Sequence, residues 1–224
     1  MTSPKWLSQW RNHVQTQDDL VRFVDDVGFC TINQLDAYPD FPSQEVAMGR
    51  HDVLGHTWFW KDDLHAQKRI YYCRVFGGKP GFISFGLLPA FIATNGETVD
   101  ELTTYGVMPV TTENIYRIIE QRGPIPIREL KSLLGPDARK ASASVLIDLE
   151  RKFIITKTGI SGRERATYGY IWDLAERWIP DAFEAADALG VKSAREVIRT
   201  RLAELGVTDE PFTTRILHWP SKPS

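Results

Sequence analysis

Cations and short hydroxyl side chains are concentrated between residues 139 and 165. The group consists of Arg139, Lys140, Ser142, Ser144, Lys157, Arg163 and Arg165. Guanidinium and ammonium groups bind phosphate oxygens, and Ser hydroxyls add short hydrogen bonds to phosphates or to base edges. These residue types, so close together, favour contacts with a polyanion. The plain alternative is a solvated helix face followed by a solvated hairpin.

The periodicity around these side chains predicts the elements that carry them. Three short amphipathic helices fall within residues 111–151, and the last of them, residues 137–151, holds the first four side chains. Strand-like runs at residues 153–157 and 166–174 flank a polar loop at residues 159–165. Three helices followed by a hairpin are typical of a winged helix, which lays one helix in the major groove of DNA while the hairpin contacts the neighbouring backbone.

Each side chain has an expected role in this arrangement. Arg139 and Lys140 would engage phosphates or base edges, and the two serines of the same helix would add short hydrogen bonds. Lys157, Arg163 and Arg165 would hold the flanking backbone. The predicted partner is therefore double-stranded DNA, with damaged or bent duplex as a candidate form. Because winged helices also serve as interaction modules, a protein partner is the alternative.

The distribution of charge along the chain agrees with a DNA contact in the predicted winged helix. The chain has 224 residues and a formal net charge of −2, which argues against non-specific coating of nucleic acid. Residues 111–180 hold 12 Lys and Arg against 9 Asp and Glu, a net charge of +3, whereas the remainder holds 15 against 20. A surplus of three is modest, so duplex affinity is expected to be weak and strongly salt-dependent.

Composition predicts a globular protein of the cytoplasm. Hydrophobic residues make up 42% of the chain and charged residues 25%, both ordinary for a folded domain. No apolar run approaches a membrane span, and the N-terminal residues lack the apolar segment of a secretory signal. Cys30 and Cys73 lie in apolar surroundings, which favours buried reduced thiols over a disulfide or a zinc pair. No cofactor is indicated.

Two further groups of residues could carry chemistry but have simpler explanations. His and Asp side chains cluster within residues 50–56 and again at Asp62, Asp63 and His65. Their spacing matches no metal-site pattern, so a solvated surface is favoured and no metal is expected. Trp58 could stack on an extruded base, although an aromatic residue of a strand-like run is more often part of the core, and a core position is favoured.

The remaining pattern predicts an α+β chain in three parts. Residues 1–108 form an N-terminal domain of mixed helices and strands, residues 109–180 form the winged helix, and residues 181–224 form a helical C-terminal extension. β-like segments are predicted at residues 57–63 and 69–76. The sequence contains no detectable internal repeat.

Four passages resemble the AlkZ (YcaQ-like) winged-helix DNA glycosylase superfamily, particularly its shorter AlkZ-related members. Residues 170–180 read Tyr-Ile-Trp-Asp-Leu-Ala-Glu-Arg-Trp-Ile-Pro, similar to the closing Tyr-Asp-Leu-Ala-Glu-Arg-Trp-Leu-Pro signature. Residues 27–33 resemble the family's Gly-Phe-Val-Gln-Ile-Asp region, a less specific match. Residues 58–64 and 71–73 resemble its Trp-Lys-Asp and Tyr-Tyr passages. The likeness covers most of residues 18–180.

The resemblance implies a DNA-binding fold whose glycosylase branch excises alkylated bases with a Gln-x-Gln or Gln-x-Asp pair. The matching positions here are Thr31 and Asn33, which supply no carboxylate to orient a water or to stabilise an oxocarbenium charge. The resemblance therefore implies a DNA-binding relative without this excision chemistry, and no catalytic residue is assigned. The alternatives are a glycosylase that uses Asn33, Gln34 or Asp36, and a winged helix docked on its own N-terminal half or on a partner.

Overall fold

The N-terminal half of the chain folds around a small antiparallel sheet. A computed structural model describes residues 4–49, 57–104, 108–217 and 219. The sheet has the strand order β1-β3-β2. In chain order the elements of this half are α1 (Lys5–Trp10), α2 (Gln17–Val27), β1 (Phe29–Thr31), α3 (Gln44–Met48), α4 (Trp60–Ala66), β2 (Tyr71–Phe76) and β3 (Lys79–Ile83).

Helix α2 shows how local sequence fixes one of these elements. The Thr16 hydroxyl accepts a hydrogen bond from the Asp19 N–H at 3.1 Å, and the Asp19 carboxylate accepts one from the Thr16 N–H at 2.9 Å. Apolar residues at helical spacing then bury one face of the helix, namely Leu20, Phe23, Val24 and Val27. The helix ends at Gly28, whose φ of +83° is rarely adopted by a residue with a Cβ atom.

A second small sheet lies in the following part of the chain, with the strand order β4-β6-β5. Two helices, α5 (Leu88–Asn95) and α6 (Val99–Thr104), lead into it. Its elements are α7 (Val110–Arg122), β4 (Ile125–Pro126), α8 (Ile127–Leu133), α9 (Pro136–Arg151), β5 (Ile155–Ile160) and β6 (Tyr170–Leu174). The chain continues into α10 (Ala175–Trp178), α11 (Pro180–Leu189), α12 (Val191–Glu204) and α13 (Glu210–Ile216).

The two sheets share one topology. The first unit is residues 17–83 and the second unit is residues 110–174. In their described residues each runs helix, strand, helix, helix and hairpin. In both units the lone strand pairs antiparallel with the second strand of the hairpin. The topology is thus repeated although the sequence contains no detectable repeat.

Buried side chains form two clusters. One contains Phe29 and Phe76 of the first unit together with Ile198 and Phe212 of the C-terminal helices. The other lies in the second unit around Leu149 and includes Leu102 of α6. Burial of an aliphatic or aromatic side chain of this size stabilises a fold by roughly 1.5–3 kcal/mol. Because α11 and α12 also pack against α5, the C-terminal helices complete the core of the first unit.

The predicted α+β architecture is confirmed in its coarse form, as helices combined with two small antiparallel sheets. The β-like segment predicted at residues 57–63 is wrong, because α4 begins at Trp60. Lys61, Leu64 and His65 are buried at i, i+3 and i+4, the spacing of one helix face. None of the described helices is long and apolar enough to cross a membrane.

Candidate nucleic-acid interface

Helix α9 separates a buried face from a charged one. It starts after Gly135 with Pro136 in its first turn, where the missing proline N–H costs no helical hydrogen bond. Leu146 and Leu149 pack into the core of the second unit. The structure exposes three of the four predicted α9 side chains. Lys140 and Ser144 lie opposite the buried face, whereas Arg139, seven residues before Leu146, lies beside that face at the exposed start of the helix. These three remain accessible to a ligand.

The guanidinium of Arg139 joins α9 to the end of α8. Its Nε donates to the carbonyl of Lys131 at 3.0 Å, and one Nη donates to the carbonyl of Leu134 at 3.3 Å. Such carbonyls at a helix end lack partners within the helix, so a cation there is stabilising. Two of the five N–H groups of Arg139 are used in this way, and the side chain is exposed.

Ser142 does not face solvent, which corrects its predicted role. Its side chain is 1% exposed, and its hydroxyl donates to the carbonyl of Arg139 at 2.8 Å. Helical periodicity explains the difference, because Ser142 lies four residues before Leu146 and shares its buried face. The Ser144 hydroxyl also donates within the helix, to the carbonyl of Ala141 at 2.9 Å, but it is exposed and can still accept.

Lys157 is also corrected, because its side chain is only 3% exposed. Its ammonium group pairs with the carboxylate of Glu150 and lies 4.2 Å from the ring centre of Tyr72 and 4.9 Å from that of Tyr170. Strand β5 packs against α4 of the first unit, so this part of the hairpin is covered by protein. In this conformation Lys157 cannot reach a phosphate.

The loop between β5 and β6, residues 161–169, carries the remaining two predicted cations. Arg163 is 58% exposed, forms an ion pair with Asp63 of α4, and lies 5.0 Å from the ring centre of Phe59. Arg165 is exposed and forms no ion pair with the residues that the structure describes. The loop thus presents one cation held by the first unit and one that is unpaired.

A buried polar network joins the two units and was missed in the sequence. The ammonium of Lys61 lies 2.7 Å from the Asp62 carboxylate and donates to the Tyr168 hydroxyl at 3.0 Å. That hydroxyl is 3.1 Å from Asp62 and 3.0 Å from the hydroxyl of Tyr170. Burial lowers the pKa of Lys61 and raises the pKa of Asp62, and the ion pair between them opposes both shifts.

Trp58 was predicted to be part of the core, but it contacts Lys61 at the protein surface. Trp58 is 37% exposed, so it is not core. The ammonium of Lys61 lies 4.1 Å from the centre of its indole ring, a cation–π contact. The Trp58 ring is thereby held at the edge of the network with one part in solvent.

His65 is a structural residue of the same contact. Its Nδ1 accepts from the Tyr72 N–H at 2.9 Å, and its Nε2 faces the carbonyl of Lys157, so Nε2 carries the proton. Burial, reinforced by the charge of Lys157, lowers the pKa of His65 to about 3. A neutral ring with both nitrogens engaged has no lone pair left for a metal.

The two Asp residues of the suspected metal cluster are engaged as well. Asp62 pairs with Lys61, and Asp63 pairs with Arg163. The other members of that cluster, residues 50–56, lie outside the described residues. Within the described part of the chain no three His, Cys, Asp or Glu side chains converge as a metal site would require.

The two positions that match the glycosylase motif have different surroundings. Thr31 is fully buried in β1, and its hydroxyl donates to the carbonyl of Asn33 at 2.7 Å. Asn33 is exposed and lines a cleft of about 910 Å³ together with Gln34 and Asp36. Thr31 is therefore committed to the fold, whereas the three residues that line the cleft can meet a ligand.

The comparison with known families covers all of these features. A family model described as AlkZ related matches residues 14–217, which include both units and the C-terminal helices. No curated protein and no solved structure matches the chain. The matched region takes in Asn33, the buried network and the passage at residues 170–180 that resembles the same relatives. The chain therefore belongs to the AlkZ-related family.

Proposed function

We propose that the protein binds double-stranded DNA through a winged helix at residues 109–180. The observation that carries this proposal is the order of the second unit, in which α9 precedes the β5–β6 hairpin and the sheet order is β4-β6-β5. A winged helix uses that order to place one helix in the major groove and a loop on the adjacent backbone. Family membership supports it, because the AlkZ-related family suggests a relation to alkylation-repair glycosylases.

Five exposed side chains of the second unit form the proposed contact surface. They are Arg139, Lys140, Ser144, Arg163 and Arg165. Lys140 and Arg165 form no ion pair with a described residue, so a phosphate would not have to break one at these two side chains. Arg163 is paired with Asp63, so a phosphate would have to compete with that carboxylate for its guanidinium.

The proposal divides the chain into residues 1–108, 109–180 and 181–224. Support comes from the buried cluster around Leu149, in which Leu102 of α6 is the one described member that precedes residue 109. The helices of residues 181–224 share their core with the N-terminal part, so they serve as its structural complement and lie outside the DNA-binding winged helix.

The experiment is a titration of labelled duplex with the wild-type protein and with the variant Arg139→Gln/Lys140→Gln/Arg165→Gln. Lys5→Gln, an exposed cation of α1, is the matched control. The triple variant should bind more weakly and the control should bind like wild type. A comparison of unmodified, alkylated and bent duplex then defines the preferred form. Absence of wild-type binding at low salt would refute the proposal.

Excision of alkylated bases is the second candidate function, and one observation favours it. Asn33 and Asp36 line the same cleft, so an amide and a carboxylate are both available beside the motif position. An amide can orient a water but cannot take its proton, which leaves Asp36 as the candidate general base. Release of free base from alkylated duplex, abolished in Asp36→Asn and in Asn33→Ala, would establish this function.

The third candidate, an interaction role for the winged helix, is supported in its intramolecular form. Tyr168 and Lys157 of the hairpin are held by Lys61 and Tyr72 of the first unit. Helix α9 also packs against β2 of the first unit, but Lys140 and Ser144 remain exposed. Intramolecular docking and DNA binding are therefore compatible, and the docked first unit fixes the orientation of the loop that carries Arg165.

A further inference from the structure

The cleft beside Asn33 brings together three cations from three different elements. Arg74 comes from β2, Lys79 from the start of β3, and Arg215 from α13. They line a volume of about 910 Å³ with Asn33 at its edge. The residues are up to 141 positions apart in sequence. Only the folded chain brings them to one cleft, so their sequence spacing does not predict it.

None of these three cations forms an ion pair with a residue that the structure describes. The guanidinium of Arg74 has only a long contact of 3.4 Å to the carbonyl of Gly78. Asp36 is the one acidic residue that lines the cleft within the described part of the chain. Among the described lining residues, three cations therefore accompany one carboxylate. Like charges in a concave surface concentrate the potential, which an anionic ligand would relieve.

The frame around the cations is fixed before any ligand arrives. The β2–β3 hairpin turns through Gly77 and Gly78, with φ values of +60° and +78°. The Gly77 N–H donates to the carbonyl of Ile216 at 2.7 Å, which ties the hairpin to α13. Phe212 of α13 stacks on Tyr38 with ring centres 4.2 Å apart. These contacts fix the β2–β3 hairpin against α13. Binding a ligand between them therefore costs less conformational entropy.

The turn also leaves room for a ligand. A Cβ atom placed on Gly78 would meet nothing within 4 Å, so the backbone there is open to the cleft. Guanidinium groups match the geometry of phosphate oxygens, and an ammonium adds a point charge. The Asn33 side chain adds an amide donor at the rim.

We propose that Arg74, Lys79 and Arg215 form a phosphate-binding site in the first unit. The site shares no residue with the proposed DNA contact of α9 and the β5–β6 loop, and it is an addition to that proposed function. The phosphate has two possible sources: the backbone of a DNA duplex that extends onto the first unit, or a free nucleotide. Both present anionic phosphate oxygens to the same three cations, as a monoanionic diester in the backbone and as a mostly dianionic monoester in the nucleotide.

The experiment uses the full-length protein and two exposed cations of the site, Lys79→Gln/Arg215→Gln, with Lys5→Gln as the matched control. Arg74 is left intact because it is partly buried in a strand. Equal unfolding midpoints would show that the variants are folded. Asp36→Asn should have the opposite effect on anion binding, because it removes the one carboxylate of the described lining. The probes are a labelled duplex and deoxyadenosine monophosphate, with deoxyadenosine as the phosphate-free comparison.

A backbone source predicts that the double variant lowers the salt slope of duplex binding by roughly 0.9 for each phosphate that the variant no longer neutralises. A free-nucleotide source predicts that the monophosphate binds wild type, that the double variant weakens it roughly tenfold, and that deoxyadenosine does not bind. In either case Asp36→Asn should bind more tightly. Equal binding of both probes by wild type, Lys5→Gln and the double variant would overturn the site.

These outcomes are separable from the α9 proposal. If duplex binding depends on Lys79 and Arg215 but not on Arg139 and Arg165, the site stands and the α9 contact fails. If the reverse holds, and the monophosphate does not bind, the site fails and the α9 contact stands.

Discussion

The ammonium group of Lys61 donates a 3.0 Å hydrogen bond to the hydroxyl of Tyr168, 107 residues further along the chain. The same hydroxyl lies 3.1 Å from the Asp62 carboxylate, so Tyr168 of the second unit completes an ion pair that belongs to the first. The relationship fixes the hairpin of one unit on α4 of the other. The hydrogen bond of His65 to the Lys157 carbonyl and the ion pair of Arg163 with Asp63 join the same two units.

Removal of the Tyr168 hydroxyl tests the contact. Tyr168→Phe leaves Lys61 and Asp62 largely buried with one hydrogen-bond partner fewer, so we expect a decrease of about 1–3 kcal/mol in the free energy of unfolding. Urea unfolding measures it. Tyr38→Phe is the control, because the Tyr38 hydroxyl makes no hydrogen bond with a described residue. Equal stability of the two variants would show that the network does not hold the units together.

The corrected position of Lys157 gives a second prediction. Lys157→Met leaves the Glu150 carboxylate buried without its cation, which should cost about 3–5 kcal/mol. The double variant Lys157→Met/Glu150→Gln removes both charges and should recover part of that stability. Urea unfolding of the single and double variants measures both. A Lys157→Met protein of wild-type stability but weaker DNA binding would contradict the buried position and restore the role predicted from sequence.

His65 predicts a specific pH dependence. Its pKa is about 3 in the fold against an ordinary value of 6.5, so the folded state requires the neutral ring and the unfolded state takes up the proton first. This contribution to stability is fully present above pH 6.5 and is lost as the pH falls from 6.5 towards 3, at about 1.4 kcal/mol per pH unit.

Two variants isolate this dependence from that of other groups. His65→Gln should be less stable at pH 7, and its unfolding free energy should fall less steeply as the pH is lowered from about 6.5 to about 4. His13→Gln changes an exposed imidazole and should keep the wild-type slope. Denaturant unfolding at several pH values gives the slopes. Identical slopes for the three proteins would refute the assignment of a buried neutral His65.

Gly28 predicts a backbone effect at the end of α2. A Cβ atom there would lie 2.3 Å from a methyl carbon of Leu87, and φ is +83°, so Gly28→Ala should cost more than about 1 kcal/mol. Gly86→Ala is the control, because a Cβ atom at Gly86 meets nothing within 4 Å. Thermal unfolding compares them. A Gly28→Ala protein as stable as Gly86→Ala would contradict the described turn.

Elements with strong local signals were predictable from sequence. Helix α9 was expected at residues 137–151 and spans Pro136–Arg151, because Gly135-Pro136 fixes its start and its apolar spacing fixes its buried face. The segment at residues 57–63 was not predictable in the same way. Its aromatic residues favour a strand, but burial of Lys61 and His65 against the second unit selects a helix.

For the side chains proposed to contact DNA, the sequence predicted exposure only where the local pattern of polar and apolar residues decides it. Lys140 and Arg165 are exposed as expected. Lys157 is not, because its burial depends on Tyr72, 85 residues earlier, and no local pattern reports such a contact. The cleft of Arg74, Lys79 and Arg215 and the repeated strand order have the same origin, since both arise from packing between distant segments.

The salt dependence of duplex binding tests the central claim most directly. For wild type, the logarithm of the binding constant should fall linearly with the logarithm of salt concentration, with a slope of roughly 0.9 per phosphate contacted. Arg139→Gln/Lys140→Gln/Arg165→Gln should lower that slope by roughly two to three, whereas Lys5→Gln should not change it. A triple variant with the wild-type slope and affinity would contradict DNA binding through α9 and its adjoining loop.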